Sequence, residues 1–249
     1  MNKPTIALAL LLGLSSCAEL MQVAETYGST VTSKPLTELD VINGLKQALT
    51  VGTDTAVTKL AKTNGYYGNA LYKILLPPEA DVIVRNVSKI PGGQKLVDNV
   101  VLSINRAAED AVKEAAPVFV GAIKQMTVQD AWGILRGQEN AATEYLKKTT
   151  SAQLFDLYNP KIQTSLDKPL LAGISANQSW KTLTDQWNTV AQSAVGKLAG
   201  FTPVSTDLDN YLTEKALNGL YLQIAAQEKQ IRQDPVARVT DLLKRVFGS

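Results

Sequence analysis

The stretch QKLVDNVVLSINRAAEDAVKEAAPVFVGAIKQM, residues 94–126, decides the fold class of this chain. Apolar residues recur in it every three or four positions, which places them on one face of an α-helix. They are Leu96, Val100, Ile104, Ala108, Ala111, Ala115, Phe119 and Ala122. Pro117 lies inside the run and cannot donate a helical hydrogen bond, so we expect one long helix that is kinked or split near Pro117.

The same period continues on both sides of this stretch. The sequence therefore predicts an all-α protein, a multi-helix, bundle-like single domain over residues 36–249. Upstream, a helix is predicted from Leu36, with a break at residues 51–54 and a continuation over residues 55–62. Residues 79–89 favour a further short helix, although the run VIV within them leaves a strand as the alternative.

Polar, glycine and proline signals mark the helix ends downstream. Thr127 with Asp130 resembles a capping box, and Gly137 is expected to end the helix that the box begins. Asn159-Pro160 is predicted to break the next helix, because proline has no amide hydrogen. The last helix is predicted to begin at Asp234 as its N-cap.

The first residues have the pattern of an export signal. Lys3 supplies a positive charge, and residues 5–14 are apolar, uncharged and too short to span a bilayer. The segment ends in LSSC at residues 14–17, which resembles the bacterial lipobox. We predict a lipoprotein signal peptide over residues 1–16, the alternative being an ordinary secreted protein with an incidental Cys17.

Cys17 is the only cysteine, so it has no intramolecular disulfide partner. Lipidation of Cys17 with acyl chains such as palmitate would remove the reactive thiol and anchor the protein to a membrane. Residues 17–35 are then a lipidated tether, and Ala18 favours the periplasmic side of the outer membrane in a Gram-negative bacterium. The expected location is the cell envelope, with the membrane as a partner through the N-terminal anchor.

The composition excludes several classes of function. The chain has no histidine, which excludes Ser-His-Asp and Cys-His catalysis and histidine-based zinc sites. Without Lys3 the mature part carries 24 basic against 23 acidic residues, and this balance gives no case for a nucleic-acid partner. We expect no metal and no cofactor.

Charged and aromatic residues inside the apolar helices form a candidate polar cluster. Arg106 and Glu109 are spaced i,i+3, and Glu228 and Arg232 are spaced i,i+4. Because burial of a lone charge is costly, we hypothesise that these four are paired and help to lock the long helix to the C-terminal helices. The alternative is a functional cluster that lines a cleft. The full candidate set is Arg106, Glu109, Glu139, Tyr145, Glu228 and Arg232.

Several sequence blocks resemble a known bacterial family. They are NRAAE at residues 105–109, MTVQDAWGILRG at 126–137, AATEY at 141–145, and residues 228–243 with their Ile231-Arg232, Pro235 and Arg238. Together they resemble domain-of-unknown-function family 4197, whose members are exported and predominantly helical, and the resemblance covers roughly residues 36–247. The resemblance implies no activity, substrate or catalytic residue.

Two functions from different classes stay open at this point. The first is a non-enzymatic helical binding or scaffold protein of the envelope, with a protein partner or an apolar ligand. The second is an enzyme with a carboxylate, arginine and tyrosine site in a cleft between helices. A sealed, mutually paired cluster would favour the first, and a convergent cluster beside an open pocket would favour the second.

Overall fold

The computed structural model describes residues 37–169, 172–204, 207–238 and 240–247. In this part of the chain every regular element is helical and no β-strand is present, which confirms the all-α prediction. Thr37–Ser249 is one compact unit. The predicted signal peptide over residues 1–16 and the whole predicted tether over residues 17–35, with Cys17, lie outside the described residues.

The α-helices are α1 Glu38–Leu60, α2 Asp81–Arg85, α3 Gly93–Ala111, α4 Ala116–Gln125, α5 Val128–Leu135, α6 Ala141–Asp167, α7 Ala176–Gln192, α8 Ala194–Leu198, α9 Leu208–Gln233 and α10 Asp241–Phe247. Short 3-10 turns are formed by Pro78–Ala80, Val87–Lys89, Val112–Ala115 and Pro235–Ala237. None of the helices in the described part is long and apolar enough to cross a bilayer.

The core lies where the long helices meet. α9 packs on α6 and on α1, and α3 packs on α6 and α7. Their facing side chains are fully buried, among them Leu45, Ile104, Leu146, Leu154 and Leu220. Each such side chain contributes about 1.5–3 kcal/mol through its removal from water, so these helices form one continuous core.

The long helix is split near Pro117, as predicted. α3 ends at Ala111, the 3-10 turn Val112–Ala115 follows, and α4 begins at Ala116. Pro117 thus lies in the first turn of α4, where an amide has no helical partner to lose. The position of the split follows from this preference of proline for a helix start.

The predicted break at residues 51–54 is wrong, because α1 runs through them without interruption. Gly52 is buried, and a methyl group at its Cα would lie 3.8 Å from Cβ of Gln227 and 3.9 Å from Cδ1 of Ile231. This glycine therefore lies where α9 packs against α1. The packing outweighs the cost of about 1 kcal/mol for glycine within a helix.

The predicted break at Asn159-Pro160 is also wrong, since α6 continues past Pro160 to Asp167. Tyr158 and Ile162, on either side of the proline, are buried. Their packing outweighs the cost of about 3 kcal/mol for a proline inside a helix. The strand alternative for residues 79–89 fails as well, because that region forms the 3-10 turn Pro78–Ala80 and then helix α2.

The capping box is present as predicted. The Thr127 hydroxyl accepts a hydrogen bond from the Asp130 amide at 3.1 Å, and the Asp130 carboxylate accepts one from the Thr127 amide at 3.0 Å. α5 ends at Leu135, so that Gly137 directly follows its C-cap residue Arg136.

The predicted start of the last helix is wrong. Asp234 precedes only the 3-10 turn Pro235–Ala237, and α10 begins at Asp241. Arg238 explains the interruption, because its guanidinium folds back and donates to the carbonyls of Ile231 and Arg232 at 3.1 and 2.8 Å. Those carbonyls belong to the end of α9 and have no helical donor of their own.

Candidate functional site

The six candidate side chains do not converge on one cleft. Arg106 and Glu109 form one buried ion pair on α3, and Glu228 and Arg232 form another on α9. The other two candidates, Glu139 and Tyr145, have separate partners at and near the start of α6.

The pair on α3 holds the turn that follows α1. Glu109 is 4% exposed, and its Oε1 accepts hydrogen bonds from the amides of Tyr66 and Tyr67, each at 3.2 Å. Its Oε2 accepts from Nη1 of Arg106 at 2.5 Å. Nη2 of Arg106 donates in turn to the side-chain oxygen of Asn64 at 2.8 Å. Both carboxylate oxygens of Glu109 are therefore committed to structural partners.

Asn105, the residue before Arg106, fixes the next part of the same connection. It is fully buried, its Oδ1 accepts from the Ile74 amide at 2.9 Å, and its Nδ2 donates to the Ile74 carbonyl at 2.7 Å. The candidate set omitted Asn105. Its i,i+4 spacing to Glu109 on an alanine-rich helix face was the signal that could have found it.

Tyr66 links this turn to the far side of the core. Its side chain is fully buried, and its hydroxyl donates to the Ala216 carbonyl of α9 at 2.8 Å. Burial, together with the nearby charge of Glu109, raises the pKa of Tyr66 well above its usual value. The phenol is thus a fixed neutral donor that links the turn held by Glu109 to α9, which α3 also contacts directly.

The pair on α9 joins three helices. Glu228 is 8% exposed, and its Oε1 accepts from the Ala142 amide at 2.9 Å and from Nη2 of Arg232 at 2.9 Å. Its Oε2 accepts from the amide and the hydroxyl of Thr143, each at 2.8 Å. Nη2 of Arg232 also donates to the Ile134 carbonyl at 2.8 Å. Glu228 thereby caps the start of α6, and Arg232 caps the end of α5.

The charges of this pair suit the helix ends that they meet. A carboxylate near a helix N-terminus and a guanidinium near a helix C-terminus each oppose the partial charge of the backbone there. Each such contact stabilises the folded state by about 0.3–1 kcal/mol, and by up to about 2 kcal/mol where it is partly buried. The hydrogen-bonding capacity of Glu228 is fully used by this arrangement.

The last two candidates are peripheral. Glu139 is exposed, and its Oε2 lies 3.4 Å from Nζ of Lys229. Its carboxylate also accepts a hydrogen bond from the side chain of Gln233. Burial, followed by the nearby charge of Asp130, raises the pKa of the Tyr145 hydroxyl. A raised pKa keeps the phenol protonated, which does not suit a base or a nucleophile.

A cavity of about 30 Å³ borders Glu228 and Arg232. This space holds about one water molecule, whereas a substrate pocket measures roughly 300–1,000 Å³. Its remaining wall is almost entirely apolar. That wall consists of Leu45, Ala48, Leu49, Gly52, Ile134, Ala142, Ile224 and Ile231.

A larger groove lies on the surface between the connection after α1 and the start of α9. It encloses about 330 Å³, and Leu71 and Leu75 on its wall are 75% and 62% exposed. Lys73 and Lys215 also line it, beside Tyr211. Periodicity did not indicate this groove, because the connection that forms one wall has no helical period.

A second groove, of about 510 Å³, borders the short helix α8 and is lined by Val190, Val195 and Phe201. Across the described residues, no three His, Cys, Asp or Glu side chains come together in a way that could hold a metal ion. The groove beside Tyr211 is lined by polar and apolar side chains, including Asp81, and the groove beside α8 is lined mainly by apolar ones.

Comparison with known proteins supplies a family and no activity. No curated protein matches the chain, and no solved structure matches it. A family model described as "Protein of unknown function (DUF4197)" matches residues 35–248 and so includes both buried ion pairs and both grooves. The chain therefore belongs to DUF4197, a family of proteins of unknown function.

Proposed function

We propose that this protein is an envelope lipoprotein whose helical body binds an apolar partner and does not catalyse a reaction. The observation that carries the proposal is the saturation of the two buried carboxylates. Glu109 accepts hydrogen bonds from two amides and a guanidinium, and Glu228 accepts from two amides, a hydroxyl and a guanidinium. A general acid or base needs an oxygen that can reach a substrate, and these oxygens are enclosed by structural partners.

The groove beside Tyr211 is the proposed binding surface. Its volume of about 330 Å³ falls in the range of ligand sites, and the Tyr211 hydroxyl is committed to the carbonyls of Leu75 and Leu76. The leucine side chains at positions 71 and 75 remain exposed. Such a surface suits an apolar ligand or the apolar segment of a partner protein. Lys73 and Lys215 outnumber the one acidic lining residue, Asp81, and so favour a negative charge on that partner.

Binding is tested with anilinonaphthalene sulfonate, an apolar anion that fluoresces when it leaves water. We expect saturable binding to the chain from Ala18 onward, and a marked decrease in that binding when Leu71 and Leu75 are both changed to Asp. Leu39→Asp is the matched control, because Leu39 is 69% exposed and lies outside the groove. Equal binding by the groove variant and the control would refute the groove as the binding surface.

The membrane part of the proposal rests on the LSSC sequence at residues 14–17. Replacement of the acyl-accepting thiol in Cys17→Ala should block lipid attachment. The protein should then move from the membrane fraction to a soluble or unprocessed pool. Retention of a processed Cys17→Ala protein in membranes would refute lipidation and leave the binding proposal intact.

A further inference from the structure

The segment AVGKLAGF, residues 194–201, presents apolar side chains to solvent. Leu198 is 90% exposed and Val195 is 76% exposed, on the short helix α8. Leu198 is the most exposed of the large apolar side chains in the described part of the chain. Exposed apolar residues that lie singly need no explanation, but neighbours beside an apolar groove mark an interaction surface.

The fold holds this segment in a defined shape. The Ser193 hydroxyl accepts a hydrogen bond from the Gly196 amide at 3.0 Å, which caps α8. A side chain at Gly196 would meet the Val190 carbonyl at 2.1 Å, and Gly200 has a φ of 72°, a left-handed conformation that favours glycine. Two glycines and a cap thus keep α8 close to the end of α7, with Leu198 pointing into solvent.

Basic residues accompany the apolar ones. Lys197 is exposed between Val195 and Leu198, and Nζ of Lys89 lies 4.4 Å from the centre of the Phe201 ring at the edge of the adjacent groove. In the part of the chain that the structure describes, no acidic residue lines that groove. Aliphatic side chains flanked by lysines are typical of protein surfaces that dock on anionic lipid.

We propose that residues 194–201, together with Lys89, dock on the anionic surface of the membrane to which the chain is anchored. Val195 and Leu198 enter the headgroup region, and Lys89 and Lys197 contact lipid phosphates. The inference rests on the proposed envelope location. A second copy of the chain is a poorer occupant, because a two-fold contact would bring the lysines of both copies together.

The length of the predicted tether allows this contact. A chain segment reaches at most about 3.3–3.6 Å per residue, so the residues between Cys17 and Thr37 can span up to roughly 70 Å. An anchor of that reach does not restrict which face of the helical body meets the bilayer. The face is chosen by its own affinity for lipid, and residues 194–201 carry Leu198, the most exposed large apolar side chain of the described residues, beside exposed Lys197.

The experiment uses the chain from Ala18 onward, which contains no cysteine and retains the compact unit Thr37–Ser249. Leu198→Cys is labelled with the environment-sensitive dye NBD. Vesicles of phosphatidylethanolamine with phosphatidylglycerol should shift its emission to shorter wavelength, and vesicles of phosphatidylcholine should not. The same label at Leu39→Cys, which is also strongly exposed, should show no shift with either vesicle.

The lysine contribution is tested in the labelled protein. Each basic residue near an anionic membrane strengthens binding about fivefold, so Lys197→Glu should weaken partitioning roughly 30-fold. Lys147→Glu changes the net charge equally at an exposed position on α6 and should have little effect. Because Cys17 is absent, the result does not depend on lipidation.

Three results would overturn this proposal. They are no shift at position 198, equal shifts at positions 198 and 39, and a shift that Lys197→Glu leaves unchanged. A shift that appears without vesicles as the protein concentration rises would identify a second copy of the chain as the occupant instead.

Discussion

The carboxylate of Glu228 accepts hydrogen bonds from both the amide and the hydroxyl of Thr143, each at 2.8 Å. The two residues are 85 positions apart, on α9 and in the first turn of α6. The N-cap residue of α6, Asn140, makes no capping hydrogen bond with its own side chain. Another helix therefore supplies the acceptor that a helix start requires, and this explains a buried glutamate without a catalytic role.

The buried amide of Asn105 should control the connection after α1. Asn105→Ala leaves both backbone groups of Ile74 without their side-chain partner, which costs about 1–3 kcal/mol for a buried group. We expect faster hydrogen exchange at the Ile74 amide and a lower free energy of unfolding in urea.

A matched control exists for this variant. Asn188 makes the same two-sided contact with the amide and carbonyl of Val204, at 2.8 and 3.0 Å. Asn188→Ala should speed exchange at Val204 and leave Ile74 protected. If Asn105→Ala left exchange at Ile74 unchanged, the proposed role of Asn105 would be refuted.

Replacement by Ala should lower the free energy of unfolding at one glycine and raise it at another. A methyl group at Gly219 would lie 2.8 Å from Cε1 of Tyr66, whose ring is fully buried, so Gly219→Ala should cost about 1–3 kcal/mol. Gly121 on α4 has open space around it, and Gly121→Ala should stabilise the protein by about 0.5–1 kcal/mol. Urea unfolding measures both values, and equal shifts would contradict the packing described here.

Replacement by Phe should change the free energy of unfolding differently at two buried tyrosines. The hydroxyl of Tyr66 donates to Ala216, so Tyr66→Phe should cost about 0.5–1.5 kcal/mol. The hydroxyl of Tyr158 is buried without a hydrogen-bond partner among the described residues. Tyr158→Phe should therefore be neutral or stabilising, because it removes an unsatisfied polar group. A clear loss of stability in Tyr158→Phe would show that its hydroxyl has a partner.

Asp110 should make stability depend on pH in the acid range. Burial alone would raise the pKa of Asp110, but hydrogen bonds from Lys168 and Ser165, with the charges of Lys168 and Lys113, hold that pKa below its usual value. A lowered pKa favours the charged carboxylate in the folded state, so this stabilisation is full above the unfolded-state pKa. It is lost as the pH falls through the folded-state pKa.

The measurement compares the wild type with Asp110→Asn. The difference in unfolding free energy should be constant near neutral pH and should shrink below about pH 4. A difference that did not change with pH would mean that the carboxylate is not stabilised in the folded state.

Sequence alone predicted those features whose causes are local. The split near Pro117 and the capping box of Thr127 and Asp130 depend on residues within a few positions of each other. The continuation of the helices through Gly52 and Pro160 could not be read in this way. It depends on α9 packing beside Gly52 and on the burial of residues that flank Pro160.

For the candidate cluster, too, the sequence predicted the local contacts and not the long-range ones. The i,i+3 and i,i+4 spacings correctly indicated that Arg106 pairs with Glu109 and Glu228 with Arg232. The hypothesis that these four residues lock the long helix to the C-terminal helices is wrong. In the described residues Arg106 and Glu109 hold the turn at residues 64–67, and Glu228 and Arg232 hold the start of α6 and the end of α5. Their decisive partners are backbone amides 42 to 86 positions away, and no spacing rule in a single sequence identifies them.

The central claim is that the buried charges of this protein stabilise its fold. Glu228→Ala leaves Arg232 without its carboxylate and α6 without its cap, so it should lower the free energy of unfolding by about 3–5 kcal/mol. Glu139→Ala removes only the exposed pair with Lys229 and should cost about 0–1 kcal/mol. Urea unfolding of the two variants beside the wild type is the most direct test. A loss near zero for Glu228→Ala would contradict the account, and losses of 3–5 and 0–1 kcal/mol are the values predicted.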